Sequence, residues 1–150
     1  MTIPARLSIV TLGVADLGRA IAFYEALGWE RKSASIDGSI AWFGTADTNL
    51  GLFPWHELAE DAQLPAAPRA LSEPRAPFGG ITLAINVETA AQVGAALDDA
   101  VRAGGTLLKP ATVMAWGGTS GYFADPDGHP WEVAHNPDFA IDPDGRLRIP

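Results

Sequence analysis

Cysteine is absent from this chain of 150 residues. Disulfide frameworks, thiolate nucleophiles and cysteine-held zinc are thereby excluded. Basic residues are few, ten Lys and Arg against 18 Asp and Glu, for a formal charge of −8. They are scattered from Arg6 to Arg148 and form no stripe, so nucleic acid is not an expected partner. No apolar run approaches the roughly 20 residues that span a bilayer. The opening MTIPARLSIV lacks the basic and apolar blocks of a secretory leader. No membrane association and a cytoplasmic location are therefore expected. Histidine is scarce as well: His56, His129 and His135 are the full set.

What is present suits one globular domain over 1–150. Hydrophobic residues make up 47% and charged residues 19%, and the length suffices for a real core. Leu7 to Val14 is apolar and reads as a buried strand. Asp16 can cap a helix carrying Leu17, Ala20, Ile21, Tyr24 and Leu27 at helical spacing, with Gly28 as its stop. Strands are expected over 29–36, 39–44 and 49–55, the first two joined at Asp37-Gly38.

The same order then recurs. Residues 81–87 read as a strand, and Thr89 can cap a helix with Val93, Leu97, Ala100 and Val101 on its apolar face. Three further strands are expected over 106–113, 120–124 and 130–136. The chain thus divides into module one (6–55), a linker rich in Ala and Pro (56–77), module two (78–137) and a tail (138–150). A tandem duplication of βαβββ units, of α+β class, is the simplest account. The linker is long enough to cover something, and 57–63 has the character of a short helix. The tail repeats Asp-Pro-Asp-Gly at Asp142–Gly145 and reads as a small hairpin.

Within module two, Thr119–Pro137 (TSGYFADPDGHPWEVAHNP) is the densest signal. Asp125-Pro126-Asp127-Gly128 is a tight turn between two strands. Along the second strand Trp131 and Val133 share one face, and Glu132 lies on the other. Trp42 and Tyr122 occupy matching places in the two modules, as do Phe43 and Phe123. Neighbouring positions on a strand face opposite ways, so Trp42 and Tyr122 are candidates for a cavity wall.

The order of elements, the first helix VADLGRAIAFYEALGW and the closing YFADPDGHPWEVAHNP together resemble the vicinal-oxygen-chelate superfamily. That group includes glyoxalase I, bleomycin-resistance proteins, fosfomycin-resistance thiol transferases and extradiol dioxygenases. The resemblance covers roughly residues 6 to 137 and implies sheets curled into half-barrels around a cavity, commonly with two chains paired as a homodimer. It also implies a divalent metal held on the first and last strand of each unit. Those positions fall on Ile9, near Gly51, on Thr82 and on Glu132. Only Glu132 is a strong ligand, whereas catalytic metal sites use about three protein ligands.

The expectation is accordingly a small-molecule ligand held in an aromatic-lined cavity, with no cofactor and no metal. Trp42, Phe53, Trp55, Thr82, Asn86, Trp116 and Tyr122 are the candidate ligand-binding residues. Glu132 is the candidate catalytic residue, as a general base or an acceptor; its alternative is a structural carboxylate bonded to a neighbour. Two further alternatives stay open. One is a metal-dependent lyase, thiol transferase or dioxygenase, with Glu132 and His56 in a rearranged divalent-metal site. The other is a metal-free isomerase with Glu132 as its base.

Overall fold

Alternating apolar residues put Ile9–Val14 into strand β1, with Leu12 and Val14 buried. The computed structural model describes residues 3–65 and 78–150. Helix α1, Leu17–Ala26, follows at once, and the Asp16 carboxylate accepts the Arg19 N–H at 2.8 Å to satisfy one of the free donors of the first turn. Ala20, Phe23 and Tyr24 form its buried face, a side chain such as Phe23 contributing about 1.5–3 kcal/mol on burial. Gly28 ends the helix at φ 85°, a conformation that suits glycine.

Strands β2 (Ala41–Gly44) and β3 (Asn49–Pro54) complete a sheet of order β1-β3-β2, in which β1 and β3 are parallel. The strand expected over 29–36 is reduced to two isolated bridges, Arg31 to Phe43 and Ile36 to Ile40. Trp55 does not extend β3. It opens helix α2, Trp55–Asp61, because Pro54 has no N–H to continue the ladder and Glu57 favours a helical first turn. The rest of the expected linker, 66–77, lies outside the described residues.

Module two repeats the plan. Strand β4 (Leu83–Asn86), helix α3 (Ala90–Arg102) and strands β5 (Thr106–Val113), β6 (Thr119–Ala124) and β7 (Pro130–His135) give a sheet of order β4-β7-β6-β5. Thr89 and Gln92 form a reciprocal capping box at the start of α3. Val93, Leu97 and Ala100 are buried beneath it, while Val101, expected on the same face, is 45% exposed. Strands β8 (Ala140–Ile141) and β9 (Leu147–Arg148) form the tail hairpin, held to the body by an Arg146–Asp47 ion pair at 3.0 Å. Among the described residues no helix is long and apolar enough to cross a membrane.

One core joins the modules. Leu12, Val14, Phe43, Leu50 and Leu52 from the first sheet cluster with Phe123, Trp131 and Val133 from the second, around α1 and α3. The Asp-Pro-Asp-Gly turn fastens this contact and does more than turn the chain. Asp127 Oδ1 accepts the Ala15 N–H at 2.7 Å and the Arg19 guanidinium at 3.1 Å. Asp125 Oδ1 accepts the N–H groups of Asp127 and His129, and its Oδ2 accepts the Tyr24 hydroxyl at 2.8 Å. His129 is half-buried, and its Nε2–H donates to the Gly13 carbonyl at 2.8 Å. The turn therefore binds the end of β1 and the start of α1.

Candidate functional site

Because Trp131 and Val133 enter the core, Glu132 and Ala134 face the other side of the second sheet. The register places three polar side chains in one row across that side. Lys109 on β5 is opposite Tyr122 on β6, Tyr122 is opposite Glu132 on β7, and Glu132 is opposite Ala84 on β4. The Lys109 ammonium donates to Ser120 Oγ at 3.2 Å and lies 3.3 Å from Met114 Sδ and 5.8 Å from the centre of the Tyr122 ring. Burial, together with the Glu132 charge and a hydrogen bond to it, raises the Tyr122 pKa above the ordinary phenol value. The phenol is therefore neutral at physiological pH and can donate to the Glu132 carboxylate. The arrangement joins a cation, a donor and an acceptor on adjacent strands.

The matching side of the first sheet is built differently. Thr11, Gly51 and Trp42 are aligned across β1, β3 and β2. A side chain on Gly51 would start 2.7 Å from the Trp42 indole and 3.1 Å from Thr11 Oγ1. The indole thus fills the space into which a ligand-bearing residue at 51 would project. Phe53 is opposite Gly13 and half-buried. Trp55, at the start of α2, packs over Gly13, where any Cβ would meet its ring at 2.9 Å. Helix α2 can approach β1 so closely only because residue 13 is glycine.

The other expected positions lie further apart. Thr82 is exposed, just ahead of β4. Asn86 ends β4, half-buried and opposite Ala134. Trp116 is 46% exposed in the turn between β5 and β6, its ring over Gly118. His56 is exposed on α2, 4.0 Å from Glu57. His135 Nδ1 donates to the Val87 carbonyl at 3.3 Å. Among the described residues no group of three or more His, Asp or Glu side chains could hold a metal ion. Glu132 is the one strong donor at the four positions implied by the resemblance, so these residues do not fit the usual metal.

A cleft of about 500 Å³ opens between the modules on their core side. Its walls are Val10 and Leu50 from one sheet, Leu83 and Ile85 from the other, and the indoles of Trp29 and Trp131, which meet edge-on at 5.7 Å. Ile141 and Leu147 of the tail hairpin line it too. Of the candidate ligand-binding residues only Asn86 borders this cleft, which also reaches Ala84 beside Glu132.

Lys109 in the row, and Ser120 beside it, are not singled out by the sequence pattern. Strand β5 shifts register between Leu107 and Lys109 and again between Lys109 and Thr112. Such irregularities break the simple alternation from which a facing side chain is read.

The family model described as the Glyoxalase/Bleomycin resistance protein/Dioxygenase superfamily matches residues 6–133. The crystal structure of a glyoxalase-related enzyme from Fulvimarina pelagi is similar at 33% identity and a TM-score of 0.84, over 97% of this chain and 99% of that one. A glyoxalase/bleomycin resistance protein/dioxygenase family enzyme from Burkholderia phytofirmans PsJN is similar at 23% identity and a TM-score of 0.73, over 87% and 98% of the two chains. A glyoxalase/bleomycin resistance protein/dioxygenase from Nocardioides is similar at 20% identity and a TM-score of 0.71, over 90% and 85%. No curated protein matches the chain.

Proposed function

We propose, for a chain that belongs to the Glyoxalase/Bleomycin resistance protein/Dioxygenase superfamily, that it binds a small organic molecule on the sheet faces carrying Trp42 and Tyr122, without the metal that the resemblance implies. The observation that carries this reading is the Trp42 indole over Gly51. An aromatic ring stands where a ligand-bearing side chain would project, which favours stacking on a planar ligand. Ile9 cannot coordinate a metal, and Thr82 is exposed ahead of its strand. No step through a metal is derived for these residues.

A homodimer is part of the same reading. Among the described residues, strands β1 and β4 are outer strands of their sheets, each paired on one side only. Leu7, Ile9 and Ile81 beside them are exposed apolar side chains. Unpaired edges with apolar flanks favour association with a second copy. Sedimentation equilibrium at micromolar concentration is expected to give twice the chain mass; a monomer would remove this part.

The contact between Tyr122 and Glu132 favours a second reading, in which Glu132 takes a proton from the bound molecule and the phenol orients the carboxylate. The binding reading is tested with para-hydroxybenzamide, a neutral planar aromatic, followed by calorimetry. Saturable binding that Trp42→Ala weakens about tenfold supports it. Equal affinity in both proteins, or no binding at millimolar concentration, would overturn it for this ligand class.

A further inference from the structure

Lys109 is half-buried, yet none of its contacts carries negative charge. Ser120 Oγ and Met114 Sδ are neutral, and the Tyr122 ring presents only its face. Among the described residues no carboxylate lies within ion-pair distance of it, whereas five of the arginines are paired. Removing an ammonium partly from water without an opposing charge is unfavourable unless another group supplies that charge.

Local geometry concentrates on this side chain. The two register shifts of β5 flank Lys109, and such shifts re-aim a side chain relative to a regular strand. Gly121 permits the close approach of β5 to β6, since a Cβ there would start 2.9 Å from the Lys109 carbonyl oxygen. Ser120, which accepts from the ammonium, is only 2% exposed and fixes it over the sheet. The neighbours in the row then set an order of charge. The ammonium comes first, the phenol lies one strand away and the Glu132 carboxylate two strands away. Adjacent strands are about 4.8 Å apart, so cation and anion are two such steps apart.

We infer that the Glu132 face takes an organic carboxylate, with Lys109 receiving its anionic end and Glu132 accepting a hydroxyl or N–H from its far end. The phenol ring of Tyr122 lies between the two and supports the body of the ligand. This deepens the proposed binding reading and rests on it. A simple anion such as phosphate does not use the row, because Glu132 repels it and it has no far-end donor.

The test compares para-hydroxybenzoate with para-hydroxybenzamide, which differ mainly in the charge of one end. Calorimetric titrations use the full chain, its Lys109→Met variant and its Lys109→Arg variant. The wild type should bind the carboxylate about tenfold more tightly than the amide, since hydrogen bonds to charged partners are the stronger ones. Lys109→Met should erase that preference by weakening the carboxylate far more than the amide, and Lys109→Arg should keep most of it. Equal affinity of the wild type for both compounds, or a preference that survives Lys109→Met, would overturn the carboxylate site while leaving the Trp42 reading intact. Failure of both compounds to bind would overturn both. Unchanged circular dichroism and melting temperature in the variants show that a lost preference is not a lost fold.

Discussion

The Tyr24 hydroxyl donates to the Asp125 carboxylate at 2.8 Å, joining the first helix of module one to the turn of module two. The same oxygen accepts the Trp131 indole N–H at 3.2 Å, so the phenol is satisfied on both sides within the core. Burial and the Asp125 charge hold its pKa well above the ordinary value, and it remains a donor throughout the physiological range.

Tyr24→Phe removes that donor and leaves two buried partners short of a bond. The expected loss is about 1–3 kcal/mol of folding stability, the cost of an unsatisfied buried group. Urea denaturation followed by tryptophan fluorescence measures it. A midpoint unchanged from wild type would show that the contact contributes nothing.

Asp125 gives the pH dependence of this junction. Burial raises its pKa, against the opposing effects of His129 and the Tyr24 hydrogen bond. A carboxyl whose folded pKa lies above its unfolded value stabilises the fold most when protonated. That contribution is complete below the unfolded value of about 3.9 and is lost as pH rises through the raised folded value. The stability of wild type relative to Asp125→Asn should therefore fall as pH rises from about 4 and level off above the folded pKa. A difference that does not vary with pH, or one that grows, would contradict this sign.

Gly51→Ala should destabilise the chain by about 1–3 kcal/mol, because the new Cβ meets the Trp42 ring at 2.7 Å. Trp42→Ala should relieve most of that penalty, so the two changes together should cost less than their sum. A double-mutant cycle in urea reads the coupling directly. Additive effects would show that the indole does not fill the space above Gly51.

Much of the fold was legible in the sequence, and the reasons are local. Asp16 and Thr89 announce their helices because a capping oxygen answers a fixed geometric need. Phe43 and Phe123 fall in the core, and Trp42 and Tyr122 face away from it, because strand period is two. Residues 29–36 carry β propensity but form only isolated bridges, because propensity does not specify whether a partner strand is within reach. Trp55 continues the apolar run of β3 in the sequence, but the preceding Pro54 ends the ladder there.

The site was less legible. Glu132 stands out by alternation, but Lys109 lies between two register shifts that alternation cannot anticipate. Asp125 reads as a turn residue, and the role of Asp125 and His129 between modules depends on tertiary contacts with Tyr24 and Gly13.

The most direct test of metal-independent binding is the melting temperature of chelator-treated protein, titrated separately with manganese, nickel, zinc and magnesium ions. A metal that binds the native state specifically must stabilise it, by about 2.7 kcal/mol at a hundred times its dissociation constant. No saturable rise is expected with any of the four. A rise with one of them that saturates at one ion per chain, and is lost in Glu132→Gln, would contradict it.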